Sequence, residues 1–387
     1  MSVKKNCFDV IVIGAGSVGT PTALFLSKTG LKTLVIDQFP SVGQGSNKHA
    51  IGGIRATHSD PSKIYLCSRA LVHFSNWEEN YGNDIEWYKG GYSFVAYGEK
   101  EKQILQDLLA IQHAYDLNIT WLDRQDLFEV IPDLNPNGLL GGTFSPDDGS
   151  ASPLRSAYAF FREAVTSGCT FLFNEKVISI YSENNQITGL KTDKGDYCCK
   201  YLINAAGSWA NEISNLMGID LPIRPDSHEA GITEAVQKMF NPMIVDIRPG
   251  PGSSNFYFYQ HPSGKIIFCL TPNPLIWGNF TLDTSDFLSQ AARRLIEVMP
   301  KLENIRIRRT WRGTYPMTPD GSPIIGEVEG LDGYFMAVGM CGQGFMLGPG
   351  IGELISHFIQ KKLNNKELEV LNQLTLYRDF GSMEKLK

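Results

Sequence analysis

Short apolar runs alternate with amphipathic segments along most of the chain, and the pattern is clearest near the start. Residues 8–13 (FDVIVI) form a β-branched run that ends at a glycine, which is typical of a strand buried on both faces. Residues 17–30 carry apolar side chains at helical spacing and close on Gly30, and residues 32–37 (KTLVID) form the next apolar run. Strand, helix and strand within about 30 residues predict a right-handed βαβ unit.

The rest of the chain mixes helical and strand patterns. Apolar spacing predicts helices over 60–81, 99–117, 152–167 and 285–299, with a short helix over 126–131. Strands are predicted at 90–97, within 171–206 and within 226–282. The tail 333–362 returns to a strand, a glycine-rich turn and a helix.

Mononucleotide-type segments therefore occur at the start, in the middle and near the end, with antiparallel-looking material between them. This order predicts an α/β fold, α+β overall, in which a Rossmann-like dinucleotide-binding domain carries an inserted antiparallel-sheet substrate domain. We assign residues 1–85, 146–225 and 310–387 to the first domain. Residues 86–145 and 226–309 are assigned to the substrate domain.

A glycine motif, Gly14-x-Gly16-x-x-Gly19, joins the first strand to the first helix. Its context favours a dinucleotide site, because a strand precedes it, a helix follows it and Asp37 ends the next strand. Gly14 permits a tight turn, Gly16 lets the backbone approach a pyrophosphate, and Gly19 allows close packing of the helix. Amides at the helix N-terminus would bind the phosphates, and Asp37 would accept hydrogen bonds from a ribose. A glycine-rich turn without a ligand is the alternative.

Composition and charge narrow the classes of partner. The formal net charge of the 387 residues is −6, which argues against nucleic acid because that partner needs a concentrated basic surface. The seven cysteines show no metal or disulfide spacing, so we predict no metal, no disulfide framework and a reducing compartment. No segment has the form of a signal peptide or the roughly 20 apolar residues of a transmembrane span, which predicts a cytoplasmic protein.

Two later segments bear on whether the dinucleotide is NAD or FAD. Residues 45–64 (GSNKHAIGGIRATHSDPSKI) are glycine-rich, polar and basic where a nicotinamide enzyme would continue with a plain βαβ unit, so they favour a flavin. Residues 204–210 (NAAGSWA) end a strand in small residues followed by Trp209, which could cover a ring system. For this second segment a packed strand end is the equal alternative.

Four blocks of sequence resemble the D-amino-acid oxidase/glycine oxidase/sarcosine oxidase family of FAD-dependent oxidoreductases. In chain order they are VIVIGAGSVGTPTALFLSKTGLKTLVID, GSNKHAIGGIRATHS, YLINAAGSWA, and TWRGTYPMTPDGSPIIG followed by GMCGQGFMLGPGIGE. The blocks span nearly the whole chain. GGIRATHSDP and YPMTPDGSPIIG are most similar to the β subunits of sarcosine oxidase and of dye-linked L-proline dehydrogenase.

The resemblance implies non-covalent FAD, since Gly313 stands where monomeric sarcosine oxidases carry the cysteine that attaches the flavin. It also implies hydride transfer from the carbon next to an amine to flavin N5, giving an imine that water hydrolyses. The residues assigned to the cofactor come from the four blocks and one strand between them: Gly14, Gly16, Ser17, Val18, Gly19, Asp37, Gln38, Ser46, Gly53, Ile54, Val177, Ala206, Gly207, Trp209, Gly313, Gly342, Gln343, Gly344, Phe345 and Met346.

Five side chains are candidates for the catalytic and substrate site. Arg55 matches the arginine of monomeric sarcosine oxidases that binds the substrate carboxylate, a task that suits the two parallel hydrogen bonds of a guanidinium; an FAD phosphate or a structural carboxylate is the equal alternative. Tyr257 and Tyr259 match substrate-facing positions of related enzymes, with an aromatic core face as the alternative. Tyr315 replaces an arginine of glycine and D-amino-acid oxidases, and His58 could titrate near neutral pH.

We therefore predict an FAD-dependent amine oxidoreductase that acts on a small amino acid, with sarcosine, proline or hydroxyproline favoured. A stand-alone glycine or D-amino-acid oxidase is one alternative. A non-catalytic FAD-binding subunit is another, because Tyr315 and Met346 replace an arginine and a lysine of relatives. A companion or electron-accepting subunit is implied by the multi-subunit relatives. His228 and His261 are interpreted as structural, with a site role left open. Arg312 could supply positive charge, with a surface or structural role as the equal alternative.

Overall fold

The computed structural model describes residues 6–381 and 383–386, in which runs of strands and helices are interleaved. In chain order the strands are β1 (Asn6–Cys7), β2 (Val10–Ile13), β3 (Thr33–Ile36), β4 (Gly53–Ile54), β5 (Tyr92–Ala96), β6 (Thr120–Asp123), β7 (Gly141–Ser145), β8 (Gly149–Ser150), β9 (Thr170–Leu172), β10 (Val177–Glu183), β11 (Gln186–Thr192), β12 (Asp196–Cys198), β13 (Tyr201–Asn204), β14 (Arg224–Ala235), β15 (Met243–Asp246), β16 (Ser253–Gln260), β17 (Lys265–Pro272), β18 (Ile307–Met317), β19 (Ile324–Glu327) and β20 (Tyr334–Val338). The α-helices are α1 (Gly19–Ser27), α2 (Pro61–Ser75), α3 (Trp77–Tyr81), α4 (Glu99–Ala114), α5 (Arg124–Val130), α6 (Pro153–Thr166), α7 (Ala210–Asn215), α8 (Ser285–Val298), α9 (Gly344–Ile359) and α10 (Asn365–Leu374).

A six-stranded sheet in the order β19-β20-β13-β2-β3-β9 forms the first layer. Its neighbouring strands are parallel except β19 and β20. Because successive side chains of a strand point to opposite faces, Val10 and Val12 pack on one side of β2, and Ile11 and Ile13 on the other. Helices α1, α6 and α9 cover the first face, and the small sheet β1-β12-β11-β10 covers the second. The predicted Rossmann-like layer is confirmed.

An eight-stranded sheet in the order β18-β14-β17-β16-β15-β5-β7-β6 forms the second part of the molecule. It is antiparallel except for the pair β15 and β5. On β16, Phe256 and Phe258 point into a core that α8 closes with Phe287. Tyr257 and Tyr259 lie on the opposite face, as the alternation in the sequence predicts. The predicted α/β fold with a largely antiparallel second sheet is confirmed.

Several element boundaries differ from the predicted ones for local reasons. The helix predicted over 60–81 divides at Asn76, and Gly82, in the left-handed conformation with φ 67°, ends α3. Helix α6 begins as predicted, with the Ser152 side chain accepting a hydrogen bond from the backbone amide of Arg155. None of the described helices is both long enough and apolar enough to cross a membrane.

The division into two domains stays a prediction. Strand β18 lies in the eight-stranded sheet along its full length to Met317, so it crosses the boundary expected at residue 310. The sheet continues there because β18 pairs with β14 from Thr233 opposite Ile307 to Arg224 opposite Met317. Residues 1–5, 382 and 387 of the predicted first domain lie outside the described residues.

The expectation of no disulfide is wrong for one pair of cysteines. Cys7 of β1 lies directly opposite Cys198 of β12, and the two form a disulfide with a Cα–Cα distance of 4.5 Å. The two cysteines are 191 residues apart in the chain, so only the pairing of β1 with β12 brings them together. The other five cysteines are buried and make no disulfide within the described part of the chain.

Two glycines of α9 let the helix pack directly against the backbone of the first glycine turn and of α1. A Cβ at Gly348 would lie 1.9 Å from the carbonyl oxygen of Ser17, and one at Gly352 would lie 2.7 Å from the amide nitrogen of Thr22. No L side chain fits at such distances, so the helix α9 can pack here only through glycine. The contact holds α9, which follows the last strand β20, against α1 and the turn that precedes it.

We expect Gly348→Ala to destabilise the protein by about 1–3 kcal/mol, because the added methyl group must push α9 away from Ser17. Chemical denaturation of the apoprotein measures the change. Gly195→Ala is the matched control, since its Cβ would meet only side-chain atoms of Tyr197 at 3.3 Å or more. Equal stabilities of the two variants would contradict the packing argument.

Candidate active site

A cavity of about 510 Å³ lies between the two large sheets. One wall of the cavity contains the carboxyl ends of β2 and β3, at Ile13 and Ile36, together with the turns that follow these two strands. The other wall is a face of the eight-stranded sheet, with Tyr92, Met243 and Tyr257. Ligands of open parallel sheets bind at the carboxyl ends of strands, and the cavity has the volume of a small-molecule site.

The three motif glycines have different surroundings. A Cβ at Gly14, whose φ is +107°, would lie 2.5 Å from the carbonyl oxygen of Ala205, and one at Gly19 would lie 1.8 Å from that of Gly14. These two glycines are therefore required by packing. A Cβ at Gly16 would meet no protein atom within 4 Å, and Gly16 lines the cavity. The open space beside Gly16 leaves room for a ligand to approach the backbone.

Asp37 connects the turn after β2 to the loop after β3. Its carboxylate accepts hydrogen bonds from the backbone amides of Ala15 at 2.7 Å and Phe39 at 2.8 Å. Burial raises the pKa of Asp37 above its usual value, and the two amide hydrogen bonds oppose that rise. Each carboxylate oxygen keeps a lone pair for a further donor, such as a ribose hydroxyl.

A second glycine turn faces the same cavity at the start of α9. Gly342 has φ +81°, and a Cβ there would lie 2.2 Å from the ring of Tyr315. The residues at the N-termini of α1 and α9, Val18 and Gln343, make no side-chain capping hydrogen bond, so the first amides of both helices are not capped in that way. Two helix N-termini with adjoining glycine turns suit the phosphates and polar edge of a dinucleotide. The residues present therefore fit FAD.

Most residues that the sequence assigns to the cofactor line this cavity. Gly19 and Ile54 do not, because Gly19 packs on Gly14 and Ile54 is a fully buried residue of β4. Those that do are Gly14, Gly16, Ser17, Val18, Asp37, Gln38, Ser46, Gly53, Val177, Ala206, Gly207, Trp209, Gly313, Gly342, Gln343, Gly344, Phe345 and Met346. Their roles toward FAD stay predictions.

Hydroxyl groups from two strands meet in the part of the cavity next to the eight-stranded sheet. The hydroxyl oxygens of Tyr257 and Tyr315 lie 2.9 Å apart. The Cys269 thiol lies within hydrogen-bonding reach of both tyrosines. Burial is the main cause that raises the pKa of Cys269 to about 11 and the pKa of Tyr257 well above its usual value. At neutral pH these groups are uncharged hydrogen-bond donors.

An aspartate–histidine pair on β14 completes this side of the cavity. Asp226 and His228 point to the same face because they are two residues apart on a strand. His228 Nε2 lies 2.7 Å from Asp226 Oδ2, and the imidazole ring stacks on Tyr315 with centroids 3.9 Å apart. His228 Nδ1 is buried and finds no hydrogen-bond partner among the described residues. The only sequence signal for this pair is the Asp-x-His spacing on a predicted strand, and the interpretation of His228 as a lone structural histidine does not use it.

Arg55 lines the cavity, with its side chain buried against Phe94 at 5.2 Å from guanidinium carbon to ring centroid. It donates hydrogen bonds to the carbonyl oxygens of Thr57 and of Leu386, the latter at 2.6 Å. These acceptors orient the guanidinium, which has five N–H donors in all.

Two candidate side chains lie outside the lining of the cavity. His58 is fully buried behind β4, with Nε2 3.4 Å from the Cys67 thiol, and burial lowers its pKa well below the usual value. Tyr259 donates its hydroxyl hydrogen to the Ile51 carbonyl at 2.6 Å. His261 and Arg312 also lie outside it. In the described chain no group of His, Cys, Asp and Glu side chains is placed to hold a metal ion.

Comparison with known protein families matches residues 9–358 to the family described as FAD dependent oxidoreductase, abbreviated DAO. The chain belongs to this family. The predicted family, cofactor and enzyme class are thereby confirmed.

Several relatives of similar sequence have names that refer to amino acids. The sarcosine oxidase subunit beta of Rhodobacter capsulatus is 25% identical, over 92% of this chain and 86% of its own length. Glycine oxidase of Bacillus licheniformis is 26% identical, over 92% and 94%. Sarcosine dehydrogenase of Mus musculus is also 26% identical over 91% of this chain, but the match spans only 39% of that longer protein.

Among solved structures, L-proline dehydrogenase from P. horikoshii superposes with a TM-score of 0.90. It is 29% identical to this chain, and the match covers 98% of this chain and 100% of that one. Glycine oxidase from Geobacillus kaustophilus superposes with a TM-score of 0.85 at 21% identity, covering 97% and 100%, which shows a shared fold.

We expect Gly16→Ala to weaken FAD binding about tenfold or more without changing the stability of the apoprotein. The added methyl group meets no protein atom within 4 Å but occupies the space where the pyrophosphate would approach. Titration of the apoprotein with FAD, followed by flavin fluorescence, measures the affinity. Gly195→Ala serves as the control away from the cavity, and unaltered FAD affinity in Gly16→Ala would exclude this turn from the cofactor site.

Proposed function

We propose that the chain is an FAD-dependent oxidoreductase that oxidises the C–N bond of a small amino acid, with a secondary amine such as sarcosine or proline favoured. The observation that carries the proposal is the placement of the buried Arg55 guanidinium in one cavity with the neutral hydroxyl pair of Tyr257 and Tyr315. One cation and several uncharged donors suit a small molecule with a single carboxylate. The similarity to the P. horikoshii L-proline dehydrogenase supports a cyclic secondary amine.

Each polar group has a task in this proposal. Arg55 binds the substrate carboxylate through N–H donors that its two backbone acceptors do not use. Tyr257 and Tyr315 remain protonated at neutral pH and donate to polar atoms of the substrate. His228 donates from Nε2 to Asp226, which leaves Nδ1 as the nitrogen that accepts a proton from the substrate ammonium group.

The walls of the cavity supply the rest of the environment. The glycine turns and Asp37 would hold FAD, whose flavin would supply the acceptor for the hydride of the carbon next to the amine. Tyr92, Phe94, Met243 and Val245 form an apolar surface beside the polar groups and exclude water from the substrate. The protein thus needs to hold a neutral amine in a fixed orientation, which requires a cavity that fits the substrate and few charged side chains beside it.

The alternatives differ in substrate and in catalysis. A stand-alone glycine or D-amino-acid oxidase would act on a primary amine, and a non-catalytic subunit would bind FAD without turnover. The relatives named as subunits, HcnC of Pseudomonas aeruginosa among them, support a companion subunit, which stays a proposal together with the cytoplasmic location.

Anaerobic mixing of the FAD-loaded protein with a panel of amino acids tests the proposal. We expect proline, hydroxyproline or sarcosine to bleach the flavin absorbance faster than glycine or any D-amino acid. Faster bleaching by glycine or a D-amino acid would favour the stand-alone oxidase. Failure of every amino acid to bleach the flavin would favour the non-catalytic subunit. Turnover with oxygen compared with an artificial dye then distinguishes an oxidase from a dehydrogenase.

We expect Arg55→Lys to raise the KM for the amino acid about tenfold or more, with a smaller change in kcat. Lysine keeps the charge but loses the paired hydrogen bonds, and a hydrogen bond to a charged group contributes about 1.5–3 kcal/mol. Arg155→Lys is the matched control, because Arg155 is exposed and lies outside the cavity. An unchanged KM in Arg55→Lys would remove Arg55 from the substrate site.

A further inference from the structure

A short segment, residues 383–386, reaches the substrate side of the cavity from beyond α10. Met383 lines the cavity and is 63% exposed. Leu386 is buried and packs in the same cluster as Tyr92 and Phe94. The segment has no regular secondary structure, and its position depends on contacts with other parts of the chain, among them the hydrogen bond from the Glu384 amide to the Asp320 carbonyl at 3.0 Å.

A buried ion pair anchors this segment. Glu384 Oε2 lies 3.0 Å from Lys63 Nζ of α2, and both side chains are fully inaccessible to solvent. Burial alone would raise the pKa of Glu384, but the charge of Lys63 and the hydrogen bonds to the carboxylate outweigh it, so the pKa is lowered and Glu384 is ionised. Removing one partner of such a pair leaves an uncompensated buried charge, so the pair holds the segment firmly in place.

Glu384 also holds the loop that follows Arg55. Its Oε1 accepts hydrogen bonds from the backbone amide of Ser59 at 2.9 Å and from the Ser59 hydroxyl at 2.6 Å. The same oxygen accepts from the amide of Leu386 at 3.0 Å. One carboxylate therefore connects the loop after Arg55 to the residue whose carbonyl accepts from Arg55.

The two backbone acceptors of the Arg55 guanidinium lie on either side of this connection. One is the Thr57 carbonyl, two residues before Ser59, and the other is the Leu386 carbonyl. The Glu384 carboxylate accepts a hydrogen bond from the amide of Leu386 itself and, on the other side, from the amide of Ser59, two residues beyond Thr57. Asp148 holds the intervening residues Ala56 and Thr57. The orientation of the guanidinium thus depends on a residue that does not itself line the cavity.

We propose that Glu384, paired with Lys63, is a positioning residue that sets the Arg55 guanidinium for the substrate carboxylate; this rests on the proposed function for the identity of the substrate. A carboxylate contact is made equally in the ground state and in the transition state. Loss of the positioning residue therefore raises KM and leaves kcat nearly unchanged.

The test compares Glu384→Gln with Glu353→Gln in the FAD-loaded protein. Glu353 pairs with Arg69 at 2.7 Å and lies outside the cavity, so its variant is the matched control for the loss of an ion pair. We expect Glu384→Gln to raise the KM for the reducing amino acid about tenfold, with kcat within about twofold of the unaltered protein. A KM equal to that of Glu353→Gln would overturn the proposal.

A binding measurement separates this proposal from the function proposed above. Tetrahydro-2-furoate has the shape of proline but no amine to oxidise, and its dissociation constant follows from the change in flavin absorbance on titration. We expect Glu384→Gln to weaken its binding by the same factor as the KM. If no amino acid reduces the flavin, the proposed function fails, but weaker binding in Glu384→Gln still supports the positioning role. Absence of binding to the unaltered protein would overturn both.

Two further variants exclude a general loss of folding. Leu386→Ala keeps the ion pair and loosens the acceptor carbonyl, so we expect a smaller rise in KM in the same direction. In the Arg55→Lys background, Glu384→Gln should add little to the KM, because both changes act through one guanidinium. If the KM of the double variant rose by the product of the two single-variant increases, Glu384 would act independently of Arg55, and the proposal would be overturned.

Discussion

The backbone contact between α9 and the first glycine turn is the constraint on which the cofactor side of the molecule depends. Gly348 lies against the Ser17 carbonyl, and Gly344 faces the Ser17 side chain. This packing brings the N-terminus of the last large helix to that of the first, although their sequences are far apart. Both glycine turns then open into one cavity, where their amides can act together on a single dinucleotide.

The two sides of the cavity use different chemistry. The cofactor side relies on backbone amides, glycines and the Asp37 carboxylate. The substrate side contains buried polar groups, each held by a partner: Arg55 by backbone carbonyls and His228 by Asp226. Behind Arg55, the buried charge of Lys63 is paired with Glu384. Buried charges without partners would be unstable, so these contacts restrict which groups face the substrate.

The parts of the site that were predictable lie within continuous motifs. The glycine turns at 14–19 and 342–344 could be recognised because their residues are adjacent in the chain and each follows an apolar run. Tyr257 and Tyr315 could be named, but not their mutual contact, because their strands β16 and β18 are not neighbours in the sheet. The disulfide between Cys7 and Cys198 was missed because it depends on the pairing of β1 with β12, two strands that are far apart in the chain.

By itself the sequence determined the βαβ unit, the dinucleotide class of the ligand and the two kinds of sheet, because hydrophobic periodicity and glycine spacing act over a few residues. Only the tertiary structure decided which polar side chains share the substrate side. In the structure, His58 and Tyr259 lie outside the lining of the cavity. His228 is paired with Asp226 and stacks on Tyr315, and the Leu386 carbonyl accepts a hydrogen bond from Arg55. Those outcomes depend on contacts between residues far apart in the chain, which local patterns do not encode.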